Sequence, residues 1–331
     1  MSRSLDPAVL ESLRAQDPRP AYKDISSLFA QGLDTTSQGQ AQLLEIEFLG
    51  TSHPLEQGVS YLRDGHAVAI PKLRLAQAFM VARQILHEDL MSRHAGLTIL
   101  EKVLPATAVL LLMDPEHITA ANTRKRALRC KLSSLEKDDA KARLDAVNHE
   151  KHFVDSLLTS RLHRHTKSPT LWNHRRWLLE LGKSEGRSLD LEDELKRVIM
   201  VSGERHPRNY YAWNHARWLL TEHVTTKSPA VGDVRANMVH LCHIVKDWCL
   251  KHHGDISGWS FLGFILNQIH DEDEQTTARN IVARDVLKIT ESFRWSNESV
   301  WVFLRSLAAT QCLEKEVSTS LQALGAKLGS L

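Results

Sequence analysis

The sequence is sparse in cysteine, carries no excess of either charge sign and contains no long apolar run. Four cysteines, Cys130, Cys242, Cys249 and Cys312, sit in apolar helical contexts without the dense, regular spacing of a secreted disulfide framework. Reduced thiols in a cytoplasmic protein are therefore expected. With 42 basic against 40 acidic residues the net charge is +2, too small for a long-range field that would make nucleic acid the main partner. The longest apolar stretch, Ala106 to Met113, falls well short of the ~18 residues that a membrane span needs, so no membrane insertion is expected. Met1 to Leu13 lacks a basic segment followed by an apolar core. The ends, Met1-Ser2 and Leu328-Gly329-Ser330-Leu331, match no myristoylation or prenylation signal.

Self-contained catalytic chemistry is also missing. No Walker loop, Gly-rich dinucleotide turn or nucleophile elbow occurs, and His149-Glu-Lys-His152 has i,i+3 spacing rather than that of a zinc protease helix. His240, Cys242, His243 and Cys249 invite a metal reading. Cys242 points away from the face shared by the two histidines, however, and Cys242 and Cys249 fit one apolar stripe, so no metal is expected on this chain. The acidic run Asp271-Glu-Asp-Glu274 is expected to cap a helix start rather than to bind a basic partner.

What the sequence does contain is a globular composition, 42% apolar and 25% charged, and a repeat. All eight tryptophans lie beyond residue 171. Ser168-Pro-Thr-Leu-Trp172-Asn-His-Arg-Arg-Trp177 and Pro207-Arg-Asn-Tyr-Tyr-Ala-Trp213-Asn-His-Ala-Arg-Trp218 share Trp-Asn-His and a second Trp five residues on. Asp255-Ile-Ser-Gly-Trp259 and Asn297-Glu-Ser-Val-Trp301 are weaker copies, and the marker tryptophans are 41, 46 and 42 residues apart. In a further copy, Asp114-Pro-Glu-His-Ile-Thr-Ala-Ala121, alanine stands where Trp is expected.

Each copy opens on a capping residue and continues with apolar residues at helical spacing. Second periodic stretches follow, at Leu191 to Met200, Val234 to Leu250 and Asn280 to Thr290, so the unit is a helix pair of about 40 residues. Ser133 to Lys151, polar and charged, reads as a loop running into the second helix of the first pair. Upstream, Leu44 to Phe48 alternates like a strand, and Val59 to Ile70 reads as a hairpin on Asp64-Gly65. Pro71 opens a helix to Leu90, and another is expected from about Ala95 to Met113, interrupted near Pro105. The fold class is thus all-α with a small N-terminal β hairpin, an α-α superhelix of tandem helical hairpins. Residues 1–110 form an N-terminal helical region, and 111–331 hold about five repeats.

The marker segments resemble the repeat of protein prenyltransferase alpha subunits, in which Trp is followed by Arg three or four residues later. Trp172 with Arg175 and Arg176, Trp213 with Arg217, and Trp301 with Arg305 keep that spacing; Trp259 marks the copy between them. The likeness covers roughly residues 110 to 315 and looks strongest toward the divergent, repeat-containing branch. One turn beyond the indole, an arginine can pack its stem on the ring while its fork reaches groups of the next repeat. The tryptophans are accordingly expected in the core, without a catalytic part.

The resemblance implies an alpha-type subunit paired with a beta subunit that holds the catalytic zinc and an isoprenoid funnel. This chain would bind no cofactor itself, and an isoprenoid diphosphate, preferably geranylgeranyl, would be the co-substrate. Acceptors would be proteins with a C-terminal cysteine. On that likeness Lys167, five residues before Trp172, approaches the diphosphate together with Tyr211, and Asn209 and Tyr210 face the substrate cleft. Tyr211 replaces the histidine usual in the family, and Pro169 replaces a tyrosine. Read without the likeness, Lys167 is a solvated lysine, and Asn209-Tyr210 is a helix cap with an anchoring aromatic. Those alternatives stay open, as does a non-catalytic helical adaptor. A tetratricopeptide array fits less well, because its period is near 34.

Overall fold

The computed structural model describes residues 17–29, 42–50, 58–91, 97–226 and 231–328. The readings of Met1 to Leu13 and of the last three residues lie outside them. The fold is a mostly α-helical repeat with a small three-stranded sheet. The chain divides into two compact units, Met1–Ser188 and Leu189–Leu331.

The first unit begins with α1 (Arg19–Ser27), β1 (Glu45–Leu49), β2 (Leu62–Asp64) and β3 (Ala67–Pro71). β2 and β3 are the expected hairpin, with Gly65 at φ +58 in its turn, a left-handed conformation that glycine adopts without a Cβ penalty. The central strand is β3, and β1 joins it in parallel, Ile46 opposite Val68 and Phe48 opposite Ile70. That parallel pairing was not expected from the strand pattern alone. Ile46, Val68 and Ile70 point to the buried side.

Helices α2 (Lys72–Met91) and α3 (Leu97–Met113) follow. The expected interruption at Pro105 does not occur, and α3 runs through it. On the residue before the proline, the Leu104 carbonyl accepts from Arg124 Nη1 at 2.7 Å and Thr107 Oγ1 at 3.0 Å. Ala106 and Ala108 to Leu112 are buried on every side of the helix, as befits a core helix.

The first repeat is α4 (Ile118–Ser134) and α5 (Ala140–Thr159). This corrects the loop expected over Ser133 to Lys151. Only a few residues separate the helices, and Asp139 caps α5 by accepting from the Ala142 N–H at 2.9 Å. The charged residues that suggested a loop are the solvated face of a helix whose other face buries Ala146, Val147, Phe153, Val154, Leu157 and Leu158. The end of α5 also closes the open edge of β1. Ser156 and Ser160 hydroxyls accept from the Leu44 and Ile46 N–H groups at 3.0 and 3.1 Å, and the Arg161 N–H donates to the Ile46 carbonyl. A short turn, α6 (His163–Thr166), leads into α7 (Pro169–Ser184), the first helix of the Trp172 copy.

The second unit opens with α8 (Leu191–Glu194), a π-helical turn (Leu195–Ile199) and α9 (Met200–Arg205). Two full repeats follow, α10 (Tyr210–Thr226) with α11 (Val231–Lys251), and α12 (Ile256–Leu266) with α13 (Glu272–Phe293). A last pair, α14 (Glu298–Ala309) and α15 (Lys315–Leu328), ends the unit. Asp271 caps α13, accepting from the Glu274 N–H at 3.0 Å, which is the use expected of the acidic run.

Candidate functional site

The residues singled out from the sequence lie in or near the loops that precede the Trp-bearing helices. A shared device fixes those loops. The indole N–H of Trp172 donates to the Thr166 carbonyl, that of Trp259 to the His253 carbonyl, and that of Trp301 to the Trp295 carbonyl, each at 2.9 Å and each six residues upstream. The ring is buried in the core while its polar edge ties down the loop, so one residue sets both packing and loop path. Trp213 departs from this pattern: its Nε1 is buried and has no partner among the described residues. The loop before it takes another course, with Arg208 in the left-handed region at φ +61 and its N–H donating to Asp255 Oδ2 at 2.7 Å.

In the first unit, Lys167 follows α6 and directly precedes the helix cap Ser168. Ser168 Oγ accepts from the Leu171 N–H and donates to the Pro115 carbonyl, both at 3.1 Å. Thr170 Oγ1 donates to Glu116 Oε2 at 2.6 Å, and His165 Nε2 lies 2.9 Å from the Leu112 carbonyl. Burial pushes the pKa of His165 down to about 4 despite the opposing backbone hydrogen bonds, so the ring is neutral. Residues on both sides of Lys167 are thus anchored. Its own half-buried side chain has no ion-pair or hydrogen-bond partner among the described residues.

In the second unit, Asn209 is 1% exposed and serves as the cap of α10, its Oδ1 accepting from the Ala212 N–H at 3.2 Å. The next two residues face outward: Tyr210 is 65% and Tyr211 39% exposed, their rings edge to face with centroids 5.7 Å apart. Asp255 accepts from the Ser257 and Gly258 N–H groups as well as from Arg208, and Ser299 Oγ donates to the Gly254 carbonyl. The loops before α10, α12 and α14 are therefore linked in sequence. Lys167 falls in the first unit, and Asn209, Tyr210 and Tyr211 in the second.

The arginines one turn after the indoles serve different ends. Arg175 is fully buried and its Nε donates to Asp155 of α5 at 2.7 Å, reaching back to the preceding repeat rather than onward to the next. Arg217 reaches onward: Nη2 donates to Ser260 Oγ at 2.8 Å, with the guanidinium near the rings of Phe261 and Phe264. Burial lowers its pKa. Arg176 pairs with Glu180 of its own helix, and Arg305 with Glu298 of its own.

A buried charged cluster in the first unit was not foreseen. Arg124 clamps Glu150 through two hydrogen bonds of 2.7 Å and stacks 4.0 Å over Phe153, while Asp155 receives both Arg175 and Lys151. Burial alone would raise the pKa of Glu150, but the charge and hydrogen bonds of Arg124, with smaller help from His174 and His149, hold it below the usual value. His174, 3.3 Å from Glu150, is pushed down to about 4 by its own burial. A signal for the cluster existed. Arg124 stands three residues after Ala121, the offset of Arg175 from Trp172.

Among the described residues no three His, Cys, Asp or Glu side chains gather as a metal would require. His240 Nε2 lies 3.0 Å from Glu192, and burial drives the Cys242 thiol up to about 12 and Cys249 well above its ordinary value, leaving both protonated. No helix among the described residues is long and apolar enough to cross a membrane.

The chain is similar to known proteins over parts of its length. The model of the protein prenyltransferase alpha subunit repeat matches residues 155–182, a stretch that includes Asp155, Lys167, Trp172 and Arg175. The model of the ECM9 middle domain matches residues 171–293. Protein prenyltransferase alpha subunit repeat-containing protein 1 of Danio rerio is 35% identical over 80 residues, which make up 24% of this chain and only 15% of that relative. The chain thus carries a stretch matching the protein prenyltransferase alpha subunit repeat and is similar, over that part of its length, to a divergent repeat-containing protein.

Proposed function

We propose that this chain is the alpha-type subunit of a heterodimeric protein prenyltransferase. Its partner would be a beta subunit carrying zinc and an isoprenoid pocket, and the transferred group a geranylgeranyl chain delivered to a C-terminal cysteine. The observation that carries the reading is Lys167, inside the matched repeat, whose ammonium has no partner among the described residues and which follows a well-anchored loop beside the start of α7. A cation held there suits a diphosphate, whose negative charge grows as the carbon–oxygen bond breaks. When bound to the beta subunit, zinc would supply an activated acceptor thiolate. This chain would neutralise the leaving group through Lys167 and present the hydroxyls of Tyr210 and Tyr211 toward substrate. Asn209, buried as a cap, acts in this reading by aiming those tyrosines.

Co-expression with candidate beta subunits tests the proposal. The expected result is a 1:1 complex by light scattering that transfers geranylgeranyl from its diphosphate to a protein ending in cysteine. Lys167→Ala should slow turnover by roughly a hundredfold, the scale of losing one electrostatic contact to a developing charge, without changing the mass of the complex. An active complex indifferent to that substitution removes Lys167 from the mechanism. Failure of every beta subunit to bind favours the second reading, a non-catalytic adaptor, which the loss of the expected histidine at Tyr211 and of the tyrosine at Pro169 supports.

A further inference from the structure

Away from the pre-helix loops, the first unit holds an arrangement of charge that its own fold does not neutralise. Lys125 and Arg129 lie four residues apart on α4, so they share one helix face as like charges, a placement that is mildly destabilising in an isolated helix. Both are drawn over the same indole, Trp177 of α7, with Lys125 Nζ 5.6 Å and the Arg129 guanidinium 5.4 Å from the ring centroid. Neither has a carboxylate partner among the described residues. Glu180, the acid that Lys125 senses, is hydrogen-bonded at 3.0 Å by Arg176. Elsewhere in the unit, Arg124, Arg143, Lys151, Arg161, Arg164 and Arg175 each meet an acid.

We propose that Lys125, Arg129 and Trp177 form a recognition site for an acidic segment of a partner polypeptide. The indole is rigidly backed, since buried His174 packs edge-on against it at 5.7 Å, so the cations are held over a fixed platform. An ammonium and a guanidinium one turn apart match two neighbouring carboxylates, one met as a point charge and one by a planar fork. Burial lowers the pKa of Lys125, Arg129 lowers it further and Glu180 partly offsets both, so an arriving carboxylate would relieve an existing penalty. A short acidic peptide fits better than nucleic acid or an anionic bilayer. Those surfaces are gripped by long basic tracts, whereas this face offers Lys125, Arg129 and Arg176 against Glu180 in a chain of net charge +2. The site does not depend on the prenyl-transfer reading.

The test is fluorescence anisotropy with the full chain and a labelled octapeptide of glutamate and serine. A lysine–serine octapeptide, a short single-stranded oligonucleotide and phosphatidylserine vesicles serve as competing probes. The acidic peptide should bind best, and Lys125→Gln with Arg129→Gln should weaken it roughly tenfold or more. Trp177→Leu should weaken it less. Arg129→Gln should leave Tm unchanged or raise it, because a repulsion is removed. Equal binding of acidic and basic peptides, tighter binding of the oligonucleotide or vesicles through these same residues, or a fall in Tm on Arg129→Gln with peptide binding intact would each overturn the proposal.

Discussion

In the first unit two buried ion pairs, Arg124 with Glu150 and Arg175 with Asp155, join repeat helices, whereas in the second unit clustered aromatic rings are the prominent buried contacts. Trp213 meets Trp248 at 4.9 Å and Phe261 at 5.3 Å, and Trp259 lies 5.0 Å from Phe303. One repeat period is thus filled by two chemistries. The buried arginines stand one turn after the marker position, which holds Trp172 in one copy and Ala121 in the other, so their ion pairs add to the packing rather than take the place of an indole. The two solutions differ in how they fail. Apolar rings lose area when truncated, while a buried ion pair that loses one member leaves an uncompensated charge.

The comparison can be broken most sharply by truncation. Glu150→Ala should cost ~3 to 5 kcal/mol and strip hydrogen-exchange protection from peptides within 103–188. Trp259→Ala should cost a similar ~3 to 5 kcal/mol, with the loss concentrated in peptides within 238–328. If either substitution deprotects both regions equally, the units do not differ in the way described.

Acid should sharpen the contrast. The neutral rings of His165 and His174 have folded pKa values of about 4, below the ~6.5 of an unfolded histidine. The unfolded chain therefore takes up protons that the folded chain refuses, and stability present above pH ~6.5 is lost as pH falls toward 4. Glu150, whose folded pKa is depressed, adds a further loss below its unfolded value of ~4.3. The expected outcome is a loss on the order of a few kcal/mol in the first unit, read by hydrogen exchange across this range. His174→Gln should flatten the slope.

Smaller effects separate close-packed from loose positions. A Cβ at Gly258 would lie 2.6 Å from Trp248, so Gly258→Ala should cost roughly 1 to 3 kcal/mol in thermal unfolding. At Gly182 the nearest atom, in the Arg187 side chain, is 3.4 Å away, and Gly182→Ala should be close to neutral. Smallest is the indole hydrogen bond. Trp301→Phe should cost about 1 kcal/mol more than Trp213→Phe, because only the former removes a bond to a carbonyl.

Much of the repeat was legible because helix pairs announce themselves locally. Trp172, Trp213, Trp259 and Trp301 mark the same point of successive helices, and Ser168, Asn209 and Asp255 cap them. The Asp64-Gly65 hairpin was equally plain, since its turn depends on neighbouring residues. Ser133 to Lys151 misled because a solvated helix face and a polar loop share a composition. Pro105 misled because tertiary packing overrides local preference, and the helix that carries it is buried at Ala106 and from Ala108 to Leu112. Of the candidate site, Lys167 and Tyr210 are singled out only by the resemblance to the prenyltransferase repeat. Neither the exposure of the two tyrosines nor the burial of Asn209 could be read from the sequence, because both depend on packing around the loop.

By itself, then, the order of residues determined where helices start, how often they recur and which face each turns inward, all consequences of interactions spanning a turn or two. Tertiary structure alone decided that Arg175 reaches back to Asp155, that Arg124 clamps Glu150, that β1 joins β3 in parallel, and that Lys125 and Arg129 converge on Trp177. Partners of this kind lie on separate elements. Which charge meets which is settled by the register in which those elements pack, a property no short window of sequence contains.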